Sequence, residues 1–356
     1  MKSTGILLLL IVSVLCGIHH PSRAARLRWV APKVATQTPS NQDADVIRVD
    51  TDLTNLLFTA ADKQNRFITT LREEDLRLTE DGVPQKIVTF QRETDRPLAI
   101  AFLVDVSASE ERTLPQEKAA ARSFIETVLQ SSKDQAAIIA FTGSAFLEQG
   151  LTREVFSVYR ALERLEVAMP SYLGSGRPIS GIASGPGMKA PPREGTTAIW
   201  DAIALTASEV LAHSVGQRRR AIILLTDGQD TTSRLLRTEA VNRALEAETV
   251  IYAIGIGDSK YEGVNHEGLK AVTAATGGRA FFPKRETDLR TAFAEIEQEL
   301  RSQYLVAYTS TNKKRDGAYR QMRLEVITPQ LKKEQWKLRY RPGYFAKPLT
   351  SQNRVQ

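Results

Sequence analysis

The 356-residue chain is poor in cysteine, histidine and aromatic residues, and each shortage excludes a class of protein. Its single cysteine, Cys16, can form no intramolecular disulfide, so packed cores must stabilise the fold. His213 and His266 are isolated and lack the spacing of zinc ligands. The chain also has no Gly-Lys-Ser/Thr phosphate loop and no complete dinucleotide-binding fingerprint. With 42% apolar and 25% charged residues, its composition is that of a folded soluble protein.

The N-terminus has the parts of an export signal. Lys2 supplies a positive charge, and residues 6–18 form an almost continuous apolar run, shorter than the roughly 20 residues of a membrane-spanning helix. Ser22 and Ala24 place small side chains before a cleavage point at Ala25. We therefore predict a signal peptide at 1–24, with an uncleaved anchor as the alternative. The prediction implies a secreted, periplasmic or cell-envelope protein with no stable membrane span after cleavage.

The charge of the chain is only modestly basic. Cleavage after residue 24 would remove Lys2 and Arg23 but no acid, so the formal charge would fall from +7 to +5. Such a small surplus, spread over the mature chain, predicts no nucleic-acid partner. Export also argues against a cytosolic nucleotide-dependent enzyme.

Apolar periodicity divides the rest of the chain into regions. Polar and apolar residues alternate before and after a central part in which buried strands alternate with amphipathic helices. The predicted regions are a flexible leader at 25–44, an N-terminal β segment at 45–96, an α/β domain at 97–301, a C-terminal β segment at 302–345 and a tail at 346–356.

The central region predicts a Rossmann-like α/β fold. Residues 98–104 are all apolar, as in a strand covered on both faces, and further apolar strands alternate with helices. This order favours an open, mostly parallel sheet with helices on both faces. The two β segments are expected to pair into one β-sandwich around it, since three strands alone would leave a face uncovered. Separate β appendages are the alternative. Arg218 to Arg220 are expected to form a solvated strand start.

A Gly/Pro-rich insertion interrupts the α/β region at 170–195. It holds six glycines, five prolines and four serines, so we predict an exposed loop. It is either a tolerated insertion or a binding loop.

Oxygen-bearing side chains follow two of the predicted strands. Asp105, Ser107 and Ser109 follow the first strand at alternate positions, and Asp227 follows the strand at 221–225. Ligand sites of open α/β sheets form at the carboxyl ends of strands. Carboxylates and hydroxyls suit a hard cation, so we predict a Mg²⁺ site that could also take Mn²⁺ or Ca²⁺.

Three motifs follow one another along the chain: Asp105-x-Ser107-x-Ser109, the stretch 195–199 (Gly-Thr-Thr-Ala-Ile) and the stretch 224–228 (Leu-Leu-Thr-Asp-Gly). In this order they resemble the metal-ion-dependent adhesion site of von Willebrand factor type A domains. The resemblance covers residues 97 to about 301, and the whole chain is similar to secreted bacterial proteins of this kind with β flanks. The ligands that it implies are the hydroxyls of Ser107, Ser109 and Thr197, with Thr196 as the alternative to Thr197, and the carboxylates of Asp105 and Asp227, which act directly or through water.

The resemblance implies a function. We expect an exported, non-enzymatic adhesion or protein-binding module whose cation accepts an Asp or Glu of a partner protein. The alternatives are an assembly protein whose β segments carry the partner surface, and a hydrolase using Ser107, which lacks a nucleophile-elbow sequence. Glu110 and Glu111 are interpreted as helix-dipole partners, with a second cation as the alternative. Asp230 is expected to cap the following turn.

Overall fold

The computed structural model describes residues 53–93, 96–130, 132–168, 177–178, 196–214, 216, 218–257, 263–329, 331 and 336–347. The predicted signal peptide and leader, nearly all of the insertion at 170–195, and the tail from 348 lie outside these residues. Within the described ranges, no helix combines the length and the apolar character needed to cross a membrane.

The described residues form the following strands and helices. The strands are β1 (Leu53–Ala61), β2 (Leu76–Glu80), β3 (Val83–Gln85), β4 (Ile87–Arg92), β5 (Leu98–Asp105), β6 (Gln135–Phe141), β7 (Ala145–Thr152), β8 (Arg177–Pro178), β9 (Arg219–Thr226), β10 (Thr249–Gly255), β11 (Ala280–Phe281), β12 (Tyr304–Thr309), β13 (Tyr319–Val326), β14 (Lys337–Tyr340) and β15 (Gly343–Phe345). The α-helices are α1 (Leu114–Val128), α2 (Val155–Glu163), α3 (Ile199–Leu205), α4 (Arg237–Glu246), α5 (His266–Thr276) and α6 (Glu286–Arg301).

A seven-stranded sheet in the order β11-β10-β9-β5-β6-β7-β8 forms the α/β part. Its first five strands are parallel, whereas β7 and β8 run antiparallel to their neighbours. Helices α1, α2 and α6 contribute to the core on one face, and α3, α4 and α5 to the core on the other. The central strand β5 is buried at all eight positions, which explains its unbroken apolar sequence. The predicted α/β fold is thus confirmed.

The chain reverses its direction of travel across the sheet at β5. After β5 it passes to β6 on one side and later returns to β9 on the other side. The carboxyl ends of β5 and β9 therefore border the switch point, where ligand crevices form in open α/β sheets.

The flanking β segments form two antiparallel four-stranded sheets, β14-β1-β12-β4 and β15-β13-β2-β3. Each sheet combines strands from before and after the α/β part, and side chains of both sheets share one core. Phe58 stacks on Tyr304 in that core, with ring centroids 5.1 Å apart. In the β2-β3 hairpin, Asp81 and Gly82 have φ angles of 48° and 80°, as the two-residue turn between twisted strands requires.

The α/β part leaves and rejoins the sandwich at neighbouring strands. Arg92 at the end of β4 pairs with Tyr304 at the start of β12, and the Glu93 amide donates to the Gln303 carbonyl at 2.8 Å. The two ends of the α/β part, at residues 93 and 303, therefore lie side by side.

Arg219 lies at this junction, and its position corrects the expectation of a solvated strand start. Its side chain is 5% exposed. The guanidinium donates to the backbone carbonyls of Arg96 and Leu300 and, at 3.2 Å, to Oε1 of Gln303. A buried arginine is stable there because backbone and side-chain oxygens from the connecting segments satisfy its donors.

Candidate metal centre

The predicted site forms where β5 and β9 end. Val104 pairs with Leu225 in the parallel register, so the residues that follow each strand emerge next to one another. Asp105 is fully buried, and Asp227 is 9% exposed. The structure therefore brings together two carboxylates that are far apart in sequence.

Asp105 is held by hydrogen bonds to both carboxylate oxygens. Oδ1 accepts from the Ser107 amide at 3.0 Å, and Oδ2 accepts from the Thr226 hydroxyl at 2.6 Å. Burial raises the pKa of Asp105 to about 6, although the bonds from Thr226 and Ser107 act in the opposite direction. These two hydrogen bonds thus fix the position of the carboxylate.

The two serines of the first motif lie side by side. The Oγ atoms of Ser107 and Ser109 are 3.0 Å apart. Ser107 is buried and extended, whereas Ser109 is exposed within the short 3-10 turn Ala108–Glu110. Backbone geometry therefore gives the loop one buried and one accessible hydroxyl.

Thr197 lies beside the loop that carries Asp227 and Thr231. Its amide donates to the Thr231 hydroxyl at 2.8 Å, and its carbonyl accepts from the amides of Thr231 and Thr232. The next amide, that of Ala198, donates to the Thr142 carbonyl beyond the end of β6. Thr197 is 6% exposed and is anchored between two strand-end loops. Its hydroxyl as a ligand, and Thr196 as the alternative, stay predictions.

Glu110 lies among these residues too, although the sequence favoured a helix-dipole partner, with a second cation as the alternative. Asp105, Glu110 and Asp227 each offer a carboxylate oxygen within 4.8 Å of the others, and all three residues are buried. Glu110 Oε1 accepts from the Asp227 amide at 3.1 Å, and Oε2 accepts from the Thr113 hydroxyl. Burial, reinforced by the charges of Glu117 and Asp105, raises the pKa of Glu110 to about 10.

Asp230 supports the candidate site from the loop that also carries Asp227. Its Oδ1 accepts from the Ile199 amide at 2.8 Å and from the Ser233 hydroxyl at 2.5 Å. Asp230 was expected to cap the turn that follows it. In the structure its carboxylate caps the first turn of α3, across 31 residues of sequence. It ties the Thr197 loop to the Asp227 loop.

The donor set of the site consists of carboxylate and hydroxyl oxygens, which fits a hard divalent cation. The two histidines of the described chain make other contacts. A ring nitrogen of His213 is 3.1 Å from the Glu209 carbonyl, and His266 stacks on Phe282 with centroids 4.0 Å apart. The Ser107 hydroxyl contacts the Ser109 hydroxyl rather than a histidine that could act as a base.

Comparison with known proteins agrees with the motifs. A family model described as von Willebrand factor type A domain matches residues 188–295, and a second model of the same description matches residues 100–229. No curated protein matches the chain.

Solved structures are similar to this chain at low sequence identity and with TM-scores below 0.5. Proximal thread matrix protein 1 of the mussel byssus is 17% identical, covering 62% of this chain and 51% of that one, with a TM-score of 0.47. A von Willebrand factor type A protein of Catenulispora acidiphila is 13% identical over 85% of this chain and 74% of that one, with a TM-score of 0.45. BatB of Bacteroides thetaiotaomicron is 18% identical over 57% of this chain and 98% of that one, with a TM-score of 0.41. The chain thus spans about half the length of the mussel protein.

Proposed function

Because this chain belongs to the von Willebrand factor type A domain family, we propose that it is an exported binding module that holds a divalent cation and captures an acidic side chain of a partner protein. The observation that carries the proposal is the convergence of Asp105 and Asp227, with Glu110, at the end of neighbouring parallel strands. Convergence of buried carboxylates costs free energy unless a cation or protons compensate them. A divalent cation bound by these carboxylates would compensate their charge and could also bind a carboxylate of a partner protein.

Each proposed ligand has a distinct part in the site. Ser107, Ser109 and Thr197 would offer neutral hydroxyl oxygens, and Asp105 and Asp227 would hold the cation directly or through water. Oxygen ligands of this kind favour Mg²⁺, with Mn²⁺ or Ca²⁺ as alternatives. Thr226 and Ser107 support Asp105 by hydrogen bonding, as outer partners of metal ligands commonly do.

The partner group follows from the coordination chemistry. Hard cations such as Mg²⁺ keep exchangeable waters in protein sites. A carboxylate of a partner can replace one of those waters and form a charge-assisted contact with the cation. Ser109 is exposed, so the loop that carries it is accessible from outside. We therefore propose an Asp or Glu of the partner as the incoming ligand.

Cation binding is tested by titrating the metal-free chain with Mn²⁺ and Mg²⁺ in a calorimeter. Wild type should bind, whereas Ser107→Ala should bind at least tenfold more weakly. Ser123→Ala, an exposed serine on α1, is the matched control and should bind as wild type does. Failure of the wild type to bind at millimolar cation would refute the proposal.

Partner capture is tested with the native cell envelope. Immobilised wild-type chain should retain a partner in Mn²⁺ and release it with a chelator, and Ser107→Ala should retain none. If the same partner stays bound in chelator and to Ser107→Ala, the β segments carry the partner surface and the cation site does not. Export is tested by the mass of the chain isolated from native cells, which should begin at Ala25.

A further inference from the structure

A small cavity lies between the sandwich and the α/β part, at the end of the seven-stranded sheet opposite the proposed cation site. Its walls include the first residues of β9 and β10, residues of β1, and Arg341 in the turn between β14 and β15. The cavity volume is about 40 Å³. Because one water needs about 10–15 Å³, this space holds a few waters or one compact oxyanion.

Arginine dominates the charged residues that line this cavity. The lining arginines are Arg96, Arg218, Arg219 and Arg341, and Glu248 is the one acid among the described lining residues. Apolar side chains supply further wall, which lowers the local dielectric: Leu57, Leu245 and Val250. Positive charge therefore prevails in the cavity, and an anion there would be attracted more strongly than on an open surface.

Three of these arginines have partners elsewhere. The Arg96 guanidinium lies 3.7 Å from a carboxylate oxygen of Glu93, and Arg218 donates to the Lys133 carbonyl. Arg219 forms the hydrogen bonds at the junction that are described above. These three residues therefore contribute positive charge to the cavity rather than its main contacts.

Arg341 differs from the other three because most of its donors are unused. Its Nη2 atom donates to the Asn55 carbonyl at 2.6 Å. Within the part of the chain that the structure describes, its Nε and Nη1 atoms make no hydrogen bond and it forms no ion pair, and the side-chain amide of Asn55 makes no hydrogen bond either. Burial lowers the pKa of Arg341, whereas the charge of Glu248 acts in the opposite direction. A guanidinium presents its donors as a planar fork, so Arg341 can still bind two oxygens of one anion.

We propose that this cavity binds a small oxyanion of the phosphate or sulfate class, with Arg341 and the Asn55 amide as its main donors. The inference is independent of the proposed function, because the cavity and the cation site lie at opposite ends of the sheet. Glu248 is exposed, so the cavity opens to solvent beside it, and the anion enters either free or as the terminal group of a larger molecule. A bound anion would bridge the two parts of the chain, since Arg341 belongs to the sandwich and Arg218 to the α/β part.

The test titrates the metal-free full chain with inorganic phosphate and with sulfate in a calorimeter, at constant ionic strength. Without metal, phosphate cannot bind through a cation at the other site. We expect one phosphate per wild-type chain, bound about tenfold more weakly by Arg341→Gln, which lacks the fork of charged donors. Arg323→Gln, at an exposed position of β13, is the matched control and should bind as wild type does. Glu248→Gln should bind phosphate about threefold more tightly, because a competing carboxylate is removed.

A further titration with glycerol phosphate distinguishes the two sources of the anion. Binding at least as tight as that of phosphate would identify the terminal group of a larger molecule, and weaker binding would identify a free ion. No binding of phosphate or sulfate by wild type at millimolar concentration, or equal phosphate affinity in Arg341→Gln, would overturn the site. If Arg341→Gln does not fold, Glu248→Gln decides the question: tighter phosphate binding supports the site, and unchanged or weaker binding overturns it.

Discussion

At the residue scale, the proposed site depends on the hydroxyl of Thr226, which is not itself a proposed ligand of the cation. Thr226 is fully buried at the end of β9. Its hydroxyl donates to Asp105 Oδ2 at 2.6 Å and accepts from the Gly228 amide at 3.1 Å. One side chain thus orients a proposed ligand and shapes the loop that carries Asp227.

We predict that Thr226→Val weakens cation binding. Valine keeps the shape but removes the donor to Asp105, and outer partners of metal ligands are typically worth 10–100-fold in affinity. We expect a loss of about tenfold, measured by Mn²⁺ titration, with about 2 kcal/mol lost from the free energy of unfolding. Thr273→Val is the control, since that buried threonine bonds only carbonyls of α5. Equal Mn²⁺ affinity in both variants would contradict the prediction.

The sequence predicted the Asp and Ser residues that converge but not Glu110. Strand-end position and alternate spacing led us to expect Asp105, Ser107 and Asp227 at one edge, because parallel strands end together; their role as ligands stays a prediction. The burial of Glu110 was not predicted, since acids at a helix start are usually solvated and burial here depends on tertiary packing. A signal was present in Glu117, which falls on the apolar face of α1 with Leu114 and would have indicated a buried acid nearby.

At the element scale, the loop after β9 is shaped by one glycine. Gly228 has a φ of 82° and lies against α5, where a Cβ would come within 2.9 Å of the Leu269 side chain. The Asn265 amide, at the start of the same helix, donates to the Asp227 carbonyl at 2.8 Å. Only a residue without a side chain lets this loop approach α5 and keep Asp227 at the rim.

We predict that Gly228→Ala lowers both stability and cation affinity. Left-handed strain and the clash with Leu269 should together cost about 3 kcal/mol in the free energy of unfolding. The control is Gly317→Ala, with a φ of 72° but open space around it, which should cost about 1 kcal/mol and leave Mn²⁺ binding unchanged. Urea unfolding and Mn²⁺ titration check both. An unshifted Mn²⁺ affinity in Gly228→Ala would show that the loop does not position Asp227.

Elements with strong periodicity could be predicted, and those without it could not. The buried strands β5 and β9 were predicted from their apolar runs. Strand β7 was missed because it runs near the sheet edge with polar residues at several partly buried positions, and its alternation is weak. Helix α3 continues as a π-helical segment at Thr206–Leu211, a change that apolar periodicity does not indicate.

At the scale of the whole molecule, Arg219 connects the α/β part to the segments that lead into and out of the sandwich. We predict that Arg219→Met loses about 3 kcal/mol and separates the unfolding of the two parts, because its bonds to Arg96, Leu300 and Gln303 disappear. Arg220→Met is the control, as Arg220 bonds only Ser214 and Ala247 within the α/β part. Calorimetry should show two transitions in the first variant and one in the second. A single transition in both would assign the coupling to other contacts.

The pairing of Arg92 with Tyr304 also makes the sandwich separable from the α/β part. Because the next opposite pair, Glu93 and Gln303, is hydrogen-bonded, an Asn-Gly dipeptide can replace residues 94–302 as a two-residue hairpin turn closed by that pair. The shortened chain keeps the sandwich core around Phe58 and Tyr304, which draws on both β segments and on no residue of the α/β part. We therefore expect a β-rich circular dichroism spectrum and cooperative urea unfolding. Its matched control replaces Leu78 of β2 with Asp, which places a charge in that core and should abolish folding. A shortened chain as unfolded as that control would mean that the two β segments need the α/β part to hold them together.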